Sequence, residues 1–273
     1  MRLLVYSFAA LLLLALNSTA YADLILTAPP RELPDKGEAL YGPLANHLTK
    51  LLGEKVTYVH PNNWLEYQRD LRKDKYDIIF DGPHFISWRI AHLNNDVLVK
   101  LPGTLEFVIV VNADDGEIKK VKNLIGKKVC GIPPPNLGSL TVIDQFRNPV
   151  RQPMIWGVPG GNAQVFRAFS EGQCRAAVLL FSYYSKKISD EKRKNMRVLF
   201  HSKPLPNQAI SVSTRVNNEA RRKIIRSLTV GQGKAVVEAI ARRFSGKGKT
   251  FVAATRKEYL DHYQLLEGVV FGW

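Results

Sequence analysis

The sequence predicts an α/β fold of two similar lobes, each a mostly parallel sheet flanked by helices, joined by two crossing strands. Three observations carry this reading. Short apolar runs of strand length alternate with stretches of helical periodicity, the alternation halts and restarts once, and two extended segments frame the restarted half. Composition fits a folded globular protein: of 273 residues, 45% are hydrophobic and 10% aromatic, which excludes disorder, and two cysteines exclude a disulfide-dense scaffold. The length admits one large domain or two of ordinary size.

The first half runs βαβαβα. Residues 24–28 form a short strand, after which Tyr41, Leu44, Ala45, Leu48, Leu51 and Leu52 recur at helical spacing up to the stop at Gly53. Residues 56–59 make a second strand, and Trp64, Tyr67 and Leu71 mark a second helix. The run Tyr76-Asp77-Ile78-Ile79-Phe80 breaks at Asp81-Gly82-Pro83 into a helix carrying Ile86, Ile90 and Leu93. Residues 105–111 read as an apolar strand crossing between lobes, followed by a polar turn at 112–116. The alternation restarts with strand 128–132, the loop Pro133-Pro134-Pro135-Asn136-Leu137-Gly138 and a helix from Ser139. Strand 154–158, the loop Pro159-Gly160-Gly161, a helix from Asn162 and strand 175–180 complete a second βαβαβ set. A charged helix over 183–195 and a strand over 196–200 come next. Residues 202–213, with Pro204 and Pro206 ahead of an alternating run, form the return crossing. The remainder is helical: Asn217 or Asn218 caps one helix, Val236, Val237, Ile240 and Phe244 stripe a second, and Thr255 with Glu258 makes a capping box for a third.

Residues 1–22 read as a secretory signal peptide. Arg2 precedes an apolar run too short to span a membrane comfortably, and Ala20 and Ala22 supply the small residues that signal peptidase accepts, so cleavage is expected after Ala22. With no cysteine near that point, a lipid anchor is not expected. Lys plus Arg number 39 against 24 Asp plus Glu. The surplus is spread out, and its densest runs (Lys186-Lys187, Lys192-Arg193-Lys194, Arg221-Arg222-Lys223, Arg242-Arg243) lie in helical patterns whose other faces are apolar. They read as solvated helix faces, so no nucleic-acid partner is expected. Cys130 and Cys174 sit at or beside buried strands in a chain bound for an oxidising compartment. A disulfide and two packed thiols are both open readings, and neither cysteine is assigned a catalytic role.

Two such lobes form a cleft between the carboxyl ends of their sheets, where open α/β folds bind ligands. The loops there are Pro29-Pro30-Arg31, Pro61-Asn62-Asn63, Asp81-Gly82-Pro83-His84, 133–139, 159–162 and Phe181-Ser182-Tyr183. Several end at a helix N-terminus, whose unpaired N–H groups suit an oxyanion. Arg31 is a candidate bidentate clamp and His84 a candidate ligand contact, while Trp64 and Tyr183 are candidate stacking walls with core packing as the competing role. No His-x-x-x-His or carboxylate pair accompanies the six histidines, so neither metal nor cofactor is expected. No nucleophile elbow, zinc-protease or phosphate-loop motif is present. The chain reads as a binding protein, not an enzyme.

Tyr41-Gly42-Pro43-Leu44-Ala45 with His47-Leu48, Tyr76 through Pro83, Leu124-Ile125-Gly126-Lys127-Lys128-Val129 and Pro204-Leu205-Pro206, taken in order over nearly the whole exported chain, resemble the periplasmic substrate-binding proteins of phosphate, phosphite and phosphonate ABC transporters. The resemblance implies a two-lobed type II periplasmic-binding fold, with lobe one from 23–107 plus 208–273 and lobe two from the inserted 108–207. It implies a small anionic ligand captured in the cleft, hinge closure, a membrane permease as partner, a periplasmic location and a monomer. Presentation of the closed state to a membrane sensor kinase or cyclase is the alternative.

Carried over residue by residue, the resemblance also marks departures. Where the family commonly has a Ser-Thr-Ser-Gly run for the oxyanion, this chain has Asn136, Leu137, Gly138 and Ser139. Asn162 stands for a usual histidine, Trp64 for a cleft tyrosine and Ile86 for a tyrosine after the Gly-Pro turn. Carboxylates that some members use for a ligand amino group fall on Ser182 and Gln208, so an aminoalkyl phosphonate is not expected. Asp81 adds a charge before Gly82-Pro83, and Arg175 replaces an aspartate. Asp81 either contacts a polar or cationic part of the ligand or caps the helix after Pro83. Arg175 reads as a surface residue at a strand start.

Overall fold

The structure, a computed structural model, describes residues 23–146, 148–245 and 250–267. The expected signal peptide, residues 1–22, lies outside the described residues.

β1 (Leu24–Thr27), β2 (Val56–Tyr58) and β3 (Ile78–Asp81) pair in parallel with β1 central, and α1 (Pro34–Leu52) and α2 (Trp64–Arg72) connect them. Pro34 starts α1, Tyr41, Leu44, Ala45 and Leu48 bury its inner face, and Gly53 ends it at φ 76°, where its N–H reaches the Thr49 carbonyl at 3.0 Å. Asn63 caps α2 by accepting from the Glu66 N–H at 2.8 Å. β3 runs into Gly82 and then α3 (Pro83–Leu93), whose residues are buried from Pro83 through Ile90. β4 (Asp96–Lys100), β12 (Ala209–Val212) and β13 (Val252–Ala253) extend the sheet to the order β13-β4-β12-β3-β1-β2.

The second sheet contains β6 (Phe107–Asn112), β7 (Lys128–Gly131), β8 (Met154–Gly157), β9 (Ala176–Leu180) and β10 (Met196–His201), in the order β10-β6-β9-β7-β8. α4 (Leu137–Asp144) follows β7, and α5 (Asn162–Ser170) follows β8. One strand direction dominates each sheet. Among the described strands, β12 and β13 oppose it in the first and β6 in the second, so the pairing is mixed although most strands share a direction. Between the sheets, β5 (Thr104–Leu105) and β11 (Leu205–Pro206) pair antiparallel as the two crossings. α8 (Asn218–Thr229), capped by Asn217, and α9 (Gly233–Ser245) pack back onto the first sheet, while α10 (Arg256–Tyr259), with its Thr255–Glu258 capping box, packs against α3.

Three local expectations change. The charged helix expected over 183–195 is two helices, α6 (Phe181–Lys187) and α7 (Asp190–Lys194). Ile188 turns extended to bury its side chain, and Ser189 restarts the helix as a cap accepting from the Lys192 N–H. Phe181-Ser182-Tyr183 is accordingly the first turn of α6 and not a loop. β4 and β13 were not anticipated.

Four larger apolar clusters organise the interior. One lies under α1, α8 and α9 on the first sheet, and two cover the faces of the second. The fourth joins the halves: Tyr67, Phe85 and Trp88 pack with Leu140 of α4 and with Leu266 from the C-terminal segment. Cys130 of β7 is disulfide-bonded to Cys174 in the turn before β9, and both are buried. The bridge closes a loop with a sequence separation of 44 residues, which in the chain-entropy treatment stabilises by about 4 kcal/mol. Denaturant unfolding with and without reductant is expected to differ by about that amount, and a difference below about 1 kcal/mol would contradict a structural bond.

Candidate functional site

The β3–α3 corner sets the geometry of one cleft wall. Asp81, the last residue of β3, is wholly buried and forms a two-pronged ion pair with Arg89, at 2.7 and 3.0 Å. The Tyr67 hydroxyl donates to the same carboxylate at 2.5 Å, and Arg89 also donates to the Ser211 hydroxyl. Burial and the neighbouring Asp81 charge both raise the Tyr67 pKa, which keeps the hydroxyl a donor. The network ties α2, β3, α3 and β12 together. Asp81 therefore neither faces the cleft nor caps α3, whose N-cap is Gly82 without a side-chain cap bond. Its charge is satisfied by an arginine placed two helical turns along α3.

Gly82, Pro83 and His84 do border the cleft, a cavity of about 650 Å³ between the two sheets. A side chain on Gly82 would meet the His84 ring, with a Cβ 2.8 Å from Cε1, so glycine is what lets the ring lie against the corner. His84 reaches across to the second half, with Nε2 3.0 Å from the Pro135 carbonyl. Burial lowers its pKa to about 3, more strongly than the Pro135 bond raises it, and the Arg31 charge lowers it further. The imidazole is neutral.

Arg31 enters from the loop after β1 and lies over the Phe244 ring, its Cζ 5.6 Å from the centroid. Its Nη1 is buried without a hydrogen-bond partner among the described residues. Arg243 lies over the same ring at 5.1 Å, but its charge is matched by Glu32 at 2.8 Å. Neither Arg243 nor Phe244 was a candidate. The helical stripe marked Phe244 as core, and the charge run marked Arg243 as solvated, whereas the end of α9 brings both to the cleft. No aspartate or glutamate borders the cavity among the described residues.

The opposite wall differs from expectation. Asn136, Leu137 and Gly138 border the cavity, but the Asn136 side-chain oxygen Oδ1 caps α4 by accepting from the Gly138 N–H at 3.0 Å, which consumes that donor. Ser139 is fully buried and donates to the Ile132 carbonyl at 2.5 Å, so its hydroxyl serves the loop and not the cleft. Asn162 borders the cavity behind Gly160 and Gly161, and its side-chain oxygen accepts from the Leu180 N–H at 2.8 Å. Both glycines have φ near +90°, a conformation that sets the entry to α5 and disfavours any other residue.

Trp64 and Gln208 also border the cavity. Trp64 stacks on Phe85 and meets Tyr67 edge-on, and Gln208 leaves its Oε1 buried and unpaired among the described residues. Ser182 and Tyr183 do not border it: the turn of α6 exposes Ser182 and sets Tyr183 against the outer core of the second sheet. Arg175 is exposed and paired with Asp115 at 2.8 Å and Glu117 at 3.0 Å, far from cleft chemistry.

Residues 26–259 match the family described as ABC transporter, phosphonate, periplasmic substrate-binding protein. The chain belongs to that family. No curated protein matches the sequence. Among solved structures, PhnD1 from Prochlorococcus marinus in complex with methylphosphonate is similar at TM-score 0.61 and 13% identity, over 89% of this chain and 96% of that one. A binding protein component of an ABC phosphonate transporter from Pseudomonas aeruginosa is similar at 0.56 and 13%, over 89% and 85%. A Xanthomonas citri protein bound to ATP is similar at 0.65 and 11%, over 90% and 96%. These likenesses place the phosphonate-binding family member in the two-lobed periplasmic-binding fold. The family works in the periplasm with a small-molecule ligand and the permease of an ABC transporter.

The buried pair yields a direct expectation for this member of the family. Asp81→Asn leaves Arg89 charged and buried without its partner, and is expected to lower stability by about 3–5 kcal/mol in urea unfolding. A loss under about 1 kcal/mol would show that the pair is not structural.

Proposed function

We propose that the protein captures a small phosphorus oxyanion of the phosphonate class in the cleft and delivers it to an ABC permease, without catalysing a reaction. One observation carries this reading: among the described residues, Arg31 presents a buried, unpaired guanidinium nitrogen to a cavity that no carboxylate borders. A buried guanidinium nitrogen without a hydrogen-bond partner is unfavourable, so an anion arriving there gains a charge-assisted bond and satisfies it. Phe244 holds the guanidinium in place. The α4 end contributes little, because its own cap and the loop carbonyl take the Gly138 and Ser139 donors. Trp64, Leu105 and Phe107 give the cavity an apolar side suited to a short organic substituent.

Methylphosphonate in the structurally similar PhnD1 supports the ligand class. We assign lobe one to 23–107 plus 208–273 and lobe two to 108–207, hinged at β5 and β11. Ligand binding stabilises closure about that hinge, and the permease recognises the closed form. The family match favours delivery to a permease over presentation to a sensor. Export follows cleavage after Ala22, and the protein acts as a monomer. Ligand contacts are Arg31, His84, Asn162 and Gln208, with Trp64 as a wall and Gly82, Pro83 and residues 136–138 as backbone surface.

Arg31→Gln removes the charge while keeping a polar side chain. Titration calorimetry with methylphosphonate is expected to show affinity about ten- to a hundredfold weaker, with the thermal midpoint of the free protein unchanged or higher. Unaltered affinity would refute Arg31 as the anion contact.

A further inference from the structure

His84 carries information about the protonation state of the ligand. Its Nε2 lies 3.0 Å from the Pro135 carbonyl oxygen, which can only accept, so Nε2 bears the hydrogen. In the neutral ring the other nitrogen, Nδ1, is then a lone-pair acceptor. It is buried, has no partner among the described residues, and belongs to a side chain that borders the cleft and is 2% exposed. Arg31 is close by: a Cβ on Gly82 would lie 3.1 Å from Nδ1 and 3.7 Å from Arg31 Nη2. An acceptor and a cation therefore close around one small space. A fully ionised oxyanion satisfies Arg31 but turns an oxygen lone pair toward that of Nδ1. An ammonium donor fits poorly, since among the described residues Arg31 and Arg243 border the cleft and no carboxylate does. A neutral hydroxyl on the anion satisfies both groups at once.

We propose that the site takes its ligand as a singly protonated tetrahedral oxyanion, such as the phosphonate monoanion, with an unprotonated oxygen on Arg31 and the P–OH donating to His84 Nδ1. This rests on the phosphonate-class reading above and adds His84 as a specificity-determining residue. Tetrahedral anions without a hydroxyl, the sulfonates, are rejected because Nδ1 would stay buried and unpaired.

The test measures the affinity of the purified protein for methylphosphonate and methanesulfonate by calorimetry between pH 6 and 9. The second ionisation of free methylphosphonate is followed by phosphorus NMR. The charged and titratable groups facing His84 are Arg31 from the β1 loop, Arg89 from its own helix and His262 from the C-terminal segment. The arginines stay charged over this range, and burial holds both histidines below their ordinary pKa, so the slope reports the ligand. The expected result is methanesulfonate at least about a hundredfold weaker, and methylphosphonate affinity falling up to tenfold per pH unit above the second ionisation. His84→Ala is expected to flatten that slope and narrow the discrimination. If the variant does not fold, the two wild-type measurements decide alone. Methylphosphonate binding that is flat or rises with pH, or methanesulfonate within tenfold of it, would overturn the inference and leave the uptake reading standing. Binding of neither would overturn the uptake reading and this inference together.

Discussion

The buried Asp81–Arg89 pair is the constraint on which the rest of this structure depends. Both charges are removed from water, which is tolerable because each meets a matched partner, Tyr67 donates a further hydrogen bond to Asp81, and Ser211 accepts one from Arg89. The pair pins the end of β3 to the second turn of α3, with β12 on one side and α2 on the other. That fixes the turn at Gly82, and through it the position of Pro83 and His84 at the cleft. The same pairing withdraws a carboxylate from a site where it would repel an anion. Structure and electrostatics are thus settled by one interaction.

With Asp81 neutralised internally, the sign of the cleft is decided by Arg31. Arg243 has Glu32, the Gly138 N–H is taken by the Asn136 side chain, and the Ser139 hydroxyl is taken by the Ile132 carbonyl. In the proposed site, the anion-holding role that a helix N-terminus supplies in many proteins falls to a guanidinium braced on an aromatic ring. The two halves that form the cleft meet elsewhere through apolar contact, since Leu140 packs in one cluster with Phe85 and Trp88. His84 crosses the gap to Pro135. The proposed closure would therefore be shaped by packing as well as by ligand.

Much of the fold was legible because its signals are local. The 3.6-residue recurrence of Tyr41, Leu44, Ala45 and Leu48, the stop at Gly53, the Asn217 cap and the Thr255–Glu258 box each depend on neighbours within a few residues. β4 and β13 escaped because such short strands carry little alternation, and each pairs with a strand far away in sequence, β4 with β12 and β13 with β4. The split at Ile188 escaped for a related reason: the pull of the core on one isoleucine outweighs the helical tendency of the charged residues around it. At the site, loop positions told that Arg31, His84 and Asn162 reach the cleft mouth, and the family resemblance added Trp64 and Gln208. Side-chain direction was not legible. Asp81 turned inward because Arg89 lay eight residues on, Ser139 turned to a carbonyl, and Tyr183 turned to the core with α6. Arg243 and Phe244 were invisible as cleft residues, since only tertiary packing carries the end of α9 there.

The most direct test of this account is a crystal structure of the protein with methylphosphonate bound. The account requires phosphonate oxygens on Arg31, one oxygen within hydrogen-bonding distance of His84 Nδ1, and Asp81 still paired with Arg89. A phosphonate held at Ser139 and the start of α4, or an Asp81 carboxylate swung into the cleft, would contradict it.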